Sequence, residues 1–157
     1  MTFSSYPGCL SSTDDFFITN HNLVVTETTL ELIDIRAYAN VKPVDKYVPN
    51  FMRVLSASRF AKTAREWCKI FSFGNSGTYS SQWMILDYKI FKQMKGTNKI
   101  TLDLVYMMEQ TPKKIAFHDI SHYVEKVTFI YFLINSHISL FIYLFIYLSH
   151  YQKIFQK

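Results

Sequence analysis

The sequence predicts an α+β fold with largely antiparallel strands and an apolar C-terminal tail. Three observations carry that reading. Runs of β-branched and aromatic residues flank turn formers at both ends of residues 1–126, one stretch of helical periodicity lies between them, and charged residues stop at Lys126 until Lys153. With 157 residues and 49% apolar content, the chain is long enough to bury one core. Its 4 Gly and 4 Pro exclude collagen-like or Gly/Pro low-complexity sequence, and the absence of a recurring period argues against a solenoid.

Taken in order, Phe16-Phe17-Ile18-Thr19 and Leu23-Val24-Val25-Thr26-Glu27-Thr28-Thr29 read as a hairpin, with Asn20-His21-Asn22 as its turn. Pro43 and Pro49 bracket a connector. After Pro49, apolar residues at Phe51, Val54, Leu55, Ala61, Ala64, Trp67, Cys68 and Phe71 have the spacing of one amphipathic helix. Its outward face is read as Arg53, Arg59, Lys62, Arg65, Glu66 and Lys69, a solvated surface. Gly74-Asn75-Ser76-Gly77 ends the helix. Strands are then expected at residues 82–88, 102–110 and 115–117, with a turn at Lys95-Gly96-Thr97-Asn98 and a stop at Thr111-Pro112.

From Val127 to Gln152 there is no Asp, Glu, Lys or Arg, so the expected division is a domain at 1–126 and a tail at 127–157. As a helix, residues 127–148 would cross about 30 Å and qualify as a membrane span. Asn135, Ser136, His137 and Ser139 are costly there. Non-native read-through, a membrane segment and a core helix all stay open for this tail.

The formal net charge of +5 is spread out, with no basic run longer than Lys113-Lys114, which argues against a nucleic-acid footprint. Cys9 and Cys68 form no C-x-x-C pair, so a zinc ribbon is excluded. Cys68 falls on the apolar side of the helix and reads as a buried thiol. Cys9 has no evident base and reads as a loop or buried thiol before a nucleophile. Asp14-Asp15 reads as turn capping before cation binding. His118 and His122 are spaced i,i+4, but Asp119-Ile120-Ser121 between them is no H-E-x-x-H, so a solvated or capping pair is favoured over a metal site. Neither a metal nor a cofactor is expected. The first residues show no basic and apolar secretory signal, and no N-x-[ST] acceptor occurs.

The strongest local signal is Asn75-Ser76-Gly77-Thr78-Tyr79-Ser80-Ser81-Gln82-Trp83-Met84, a polar turn feeding an apolar strand. The amides of Asn75 and Gln82 are of the type that donates to a developing oxyanion, and a purely structural turn fits equally well.

This motif, together with Phe3-Ser4-Ser5-Tyr6-Pro7-Gly8, Ser11-Ser12-Thr13-Asp14-Asp15-Phe16-Phe17, Leu23 to Thr29, the Trp67 helix and Glu109-Gln110-Thr111-Pro112, resembles the phospholipase B-like proteins, of the N-terminal-nucleophile hydrolase class. The likeness covers about residues 3–126, in the family's order. It implies a partial αββα sandwich from a precursor routed to the lysosome or secreted, and cut to expose a cysteine whose own α-amine is the base. That cysteine would attack an ester or amide carbonyl of a phospholipid or another acylated substrate, giving an acyl-enzyme that water resolves. By motif position, Asn75 is the expected oxyanion or substrate donor, and Thr26, Glu27, Thr28 and Gln82 the expected substrate-binding residues.

Three departures qualify this. The family's nucleophile lies upstream of the Ser-Ser-Tyr-Pro-Gly stretch and Cys9 does not occupy its position, so the nucleophile is absent and the chain alone is expected to be inactive. Ser80 and Ser81 stand where the family commonly has two asparagines, and Phe129-Ile130-Tyr131-Phe132 departs from the family's aromatic segment. The chain thus resembles an interior fragment. Its expected partners are a lipid or acylated substrate, a membrane through residues 127–148, and the missing remainder of the family fold. The alternative is a non-catalytic, membrane-anchored remnant.

Overall fold

The computed structural model describes residues 1–5, 7–9, 16–30, 35–41, 46–94, 101–112 and 114–124. Asp14-Asp15, the expected turn at residues 95–98 and the apolar stretch at residues 127–148 lie outside the described residues. Among the described residues, no helix is long and apolar enough to cross a membrane. The chain divides into two compact units, Met1–Ser121 and His122–Lys157, and the fold that follows belongs to the first.

Its centre is a six-stranded sheet in chain order: β1 (Thr2–Phe3), β2 (Phe16–Ile18), β3 (Leu23–Thr29), β4 (Ser81–Asp87), β5 (Val105–Gln110) and β6 (Ile115–Asp119). Every neighbouring pair is antiparallel. A 3-10 helix (Ile35–Asn40) and helices α1 (Asn50–Phe60) and α2 (Ala64–Ser72) connect β3 to β4, and α3 (Tyr88–Gln93) follows β4. The fold is α+β and antiparallel, as the strand and turn pattern predicts.

The β2–β3 hairpin forms where Asn20-His21-Asn22 predicts it. Asn22 takes a left-handed φ of 57°, which asparagine tolerates, and Thr19 Oγ1 accepts from the backbone N–H of His21 (3.2 Å) and Leu23 (3.1 Å). β3 and β4 then pair in unbroken register from Leu23↔Asp87 to Thr29↔Ser81. The strand expected at 82–88 ends one residue early because buried Asp87 caps α3, accepting from the Lys89 backbone N–H at 3.0 Å. The strand expected from 102 begins at Val105, because Asp103 is left-handed at φ 65° and turns the chain before it. Both α3 and β1 are too short for periodicity to reveal.

Pairing assigns the two faces of the sheet, since residues opposite one another share a face. One face carries Phe17, Leu23, Val25, Trp83, Ile85, Tyr106 and Met108, and packs on Val54 and Ala57 of α1 and on Trp67, Cys68 and Phe71 of α2. Trp83 is the hub, with ring centroids 5.2 Å from both Trp67 and Phe71 and 6.5 Å from Phe17. Each buried indole N–H finds an acceptor, Trp67 in Ser58 Oγ (3.1 Å) and Trp83 in Ser81 Oγ (2.8 Å). The other face carries Val24, Thr26, Thr28, Gln82, Met84, Leu86, Val105, Met107, Glu109, Ala116 and His118. Among the described residues helices α1 and α2 pack on one face of this sheet, which is compatible with the expected αββα arrangement.

The single helix expected after Pro49 is two helices. Ala61 leaves helical geometry, and Thr63 caps α2, its Oγ1 accepting from the Glu66 N–H at 3.1 Å while Glu66 Oε2 accepts from the Lys62 N–H at 2.8 Å. Thr63-x-x-Glu66 is a capping box, with the return bond displaced by one residue. The break lets α1 and α2 both present an apolar side to the sheet.

Arg53 also departs from expectation. It is buried, not solvated, at 2% exposure. Its Nε donates to the carbonyls of Phe71 (2.9 Å) and Phe73 (3.0 Å), its NH2 group donates to Phe71 O, and its NH1 group reaches Gln110 Oε1 at 2.6 Å. The guanidinium carbon lies 4.2 Å from the Phe71 ring centroid. Position 53 falls one turn before Ala57 and two before Ala61 on the buried stripe, and only its residue type pointed outward.

Candidate active site

The turn between α2 and β4 is anchored from below by Arg53. Desolvation lowers its guanidinium well below the ordinary value, to about 10, so it stays charged at neutral pH. Gln110, joined to it, passes the restraint on: its Nε2 donates to Tyr79 O at 2.8 Å. Gly74 and Gly77 both need positive φ, 69° and 81°. At Gly77 a Cβ would stand 2.9 Å from Pro112 Cα, so a side chain is excluded by contact as well as by backbone conformation.

Asn75 is half-buried within this turn. Its Oδ1 accepts from the Gly77 N–H at 3.1 Å and from Arg53 NH1 at 3.4 Å, and its Nδ2 donates to Thr111 O at 3.0 Å. The amide is therefore fixed in one orientation, with a cation at its oxygen. Among the described residues three of its four hydrogen-bonding positions are taken, and one Nδ2 hydrogen is left to donate.

Gln82, Thr28 and Glu109 form one row across three strands, Thr28↔Gln82↔Glu109, on the sheet face opposite the helices. Gln82 is buried and donates from Nε2 to Glu109 Oε1 at 2.9 Å. Thr26 lies one pair further along the same face, opposite Met84. Glu27 does not join them: it pairs with Trp83, which places it on the helix side of the sheet. Strand alternation alone separates Glu27 from Thr26 and Thr28, and that signal was readable once the strand was recognised.

Two participants were missed by sequence reasoning, Arg53 and Glu109. Burial raises the Glu109 carboxyl above its ordinary value, and the Gln82 hydrogen bond offsets part of that rise. Its signal was its place in the row with Gln82, which only the β4–β5 register supplies.

Of the thiols, Cys68 is fully buried, and burial pushes its pKa up to about 12, against a lesser opposing backbone hydrogen bond. Cys9 is exposed. His118 lies in β6, so the helical spacing that would join it to His122 does not exist. No cluster of metal-binding side chains occurs among the described residues.

A family model for phospholipase B matches residues 1–156. The chain belongs to the phospholipase B family. It is 43% identical over 128 residues to a putative phospholipase B-like 2 of Caenorhabditis elegans, covering 82% of this chain and 22% of that protein. It is 40% identical over 120 residues to phospholipase B-like protein B of Dictyostelium discoideum, covering 76% of this chain and 20% of that one. A putative phospholipase B-like 3 of Caenorhabditis elegans is 35% identical over 131 residues, with 82% and 22% covered. The chain thus spans about a fifth of the length of these relatives. The family match also runs through the apolar stretch that begins at residue 127.

Proposed function

We propose that this chain is part of a phospholipase B-like hydrolase that cleaves ester or amide bonds of acylated lipids, in the lysosome or outside the cell. Membership of the phospholipase B family over residues 1–156 supports the hydrolase class. The observation that carries the residue-level reading is the fixed amide of Asn75, held by Arg53, Gly77 and Thr111 with one hydrogen left to donate. A preset amide donor costs no reorganisation when charge develops on a carbonyl oxygen. The guanidinium at Oδ1 polarises the amide and strengthens that donor. Thr26, Thr28 and Gln82 stand for the substrate on the sheet face opposite the helices, and Glu27 stands on the helix side.

The 157 residues alone are inactive in this reading. The buried Cys68 thiol is held protonated and is unsuited to attack. Cys9 does not stand where the family's nucleophile does. Incubated with radiolabelled phosphatidylcholine, the purified chain is expected to release no fatty acid above background. Turnover that Cys9→Ala abolishes would overturn the assignment of the nucleophile elsewhere. In a gene product that carries the family's cysteine, Asn75→Ala is expected to lower kcat by about 100-fold, the usual loss for one oxyanion donor. An unchanged kcat would remove Asn75 from the site.

A further inference from the structure

The sheet face opposite the helices carries a polar patch larger than the residues the motif singled out. Leu30 N–H donates to Ser80 O at 3.0 Å, continuing the β3–β4 ladder one step beyond Thr29↔Ser81. Tyr79 OH meets Thr29 Oγ1 at 2.8 Å on the helix side, so alternation places Ser80 on the opposite face, next to Gln82. Ser80, Thr28, Gln82, Glu109 and Thr26 then share one sheet face at one end of three strands, with Ser80, Gln82, Met84 and Met107 buried on it.

Two of these hydroxyls are unusual. Ser80 Oγ, on a residue only 3% exposed, and Thr26 Oγ1 are both buried and have no hydrogen-bond partner. A buried hydroxyl without a partner costs about 1–3 kcal/mol, so two of them on one face are groups awaiting acceptors or donors. Between them stand a carboxyl, an amide oxygen and the Thr28 hydroxyl, with Thr28 and Glu109 only half-buried. The strands put these groups over roughly 10 Å across three neighbouring strands at about 4.8 Å spacing and about 13 Å along them, from the Ser80 level to the Thr26–Met84 pair.

We propose that Ser80, Thr26, Thr28, Gln82 and Glu109 form a subsite for an uncharged polyol group, which satisfies the two orphaned hydroxyls and hydrogen-bonds the Gln82–Glu109 pair. The spread of the groups requires several hydroxyls on the ligand, since one carbonyl reaches one of them at most. The charge pattern disfavours phosphate. Among the described residues no strand position on this face is Lys or Arg, its titratable members being Glu109 and, one pair along on β6, His118; Lys114 stands exposed in the β5–β6 turn. Among the described residues no lysine or arginine faces the Glu109 carboxyl, which repels an anion and accepts well from hydroxyl donors. This subsite gives the substrate class of the hydrolase reading, and it rests on that reading for its purpose.

The test uses sorbitol as the polyol probe and inorganic phosphate as the rival, with saturation-transfer NMR on the full 157-residue chain at low micromolar concentration. Saturation transfer to sorbitol is expected, with no displacement by an equal concentration of phosphate. Glu109→Ala is expected to weaken sorbitol binding about tenfold, the effect of losing a hydrogen bond to a charged group. Ser80→Ala is expected to weaken it about threefold while folding as well as the parent chain, because it deletes a hydroxyl that has no partner in the free protein. Displacement by phosphate, or sorbitol binding unaltered in Ser80→Ala, would overturn the subsite. Because no turnover is measured, failure of the acyl-release assay leaves this result standing, and failure here leaves the hydrolase reading standing.

Discussion

Cys68 couples the stability of this fold to alkaline pH. Burial disfavours the thiolate and pushes its pKa up from an ordinary 9 to about 12. A pKa raised on folding gives stability that is complete below the unfolded value and lost as pH rises toward the folded one. Between pH 9 and 10 the loss is expected to be about 1 kcal/mol, read from urea midpoints, and Cys68→Ala should flatten that slope. A slope between pH 9 and 10 that persists in Cys68→Ala would assign the effect to another group. Arg53 itself is the residue whose loss is expected to cost most. Arg53→Ala leaves Gln110 Oε1 and the carbonyls of Phe71 and Phe73 without their donor, a loss of about 3–5 kcal/mol in unfolding free energy. A loss under 1 kcal/mol, measured by urea unfolding, would show that water replaces the guanidinium. Cys68 was legible in the sequence because a small thiol on an apolar stripe has one plausible environment. Arg53 was not, since nothing in residue type announces that its guanidinium will find acceptors in two backbone carbonyls and two side-chain amides.

At the scale of elements, the Thr63 cap decides whether residues 50–72 form one helix or two. Thr63→Ala removes the acceptor for the Glu66 N–H and is expected to cost about 1 kcal/mol, or about 2–4 °C in Tm by scanning calorimetry. An unchanged Tm would mean that packing alone holds the break. The sequence signal was present as Thr63-x-x-Glu66, but the apolar spacing of Ala61, Ala64, Trp67 and Phe71 runs through the break at nearly helical phase and masks it. By contrast, the β2–β3 hairpin was readable because Asn20-His21-Asn22 supplies residues that tolerate left-handed backbone, and the same chemistry recurs at Asp103. Strand ends were less readable, because Asp87 serves as both the last residue of β4 and the cap of α3. The row of Thr28, Gln82 and Glu109 depends on register between residues 54 and 27 positions apart in sequence, which composition and periodicity do not carry.

At the scale of the whole molecule, the antiparallel α+β class followed from strand and turn patterns, while the relation of the sheet to further layers did not, because periodicity within a strand says nothing of what covers its faces. The described sheet has its helices on one face. On the other, β2 leaves Phe16 37% and Ile18 46% exposed, and away from the sheet Phe60 and Phe73 are 71% and 78% exposed. Large exposed apolar side chains favour association with other chains. The full chain is therefore expected to self-associate, its sedimentation coefficient rising between low and high micromolar concentration. Replacing Phe16 and Ile18 with Thr, which keeps strand propensity while removing apolar area, should lower that association at least tenfold if their face is the contact. A monomer at all concentrations, with one cooperative thermal transition, would show that these side chains are tolerated in water. Association that survives both substitutions would instead move the contact to Phe60 and Phe73, on the helix side of the molecule.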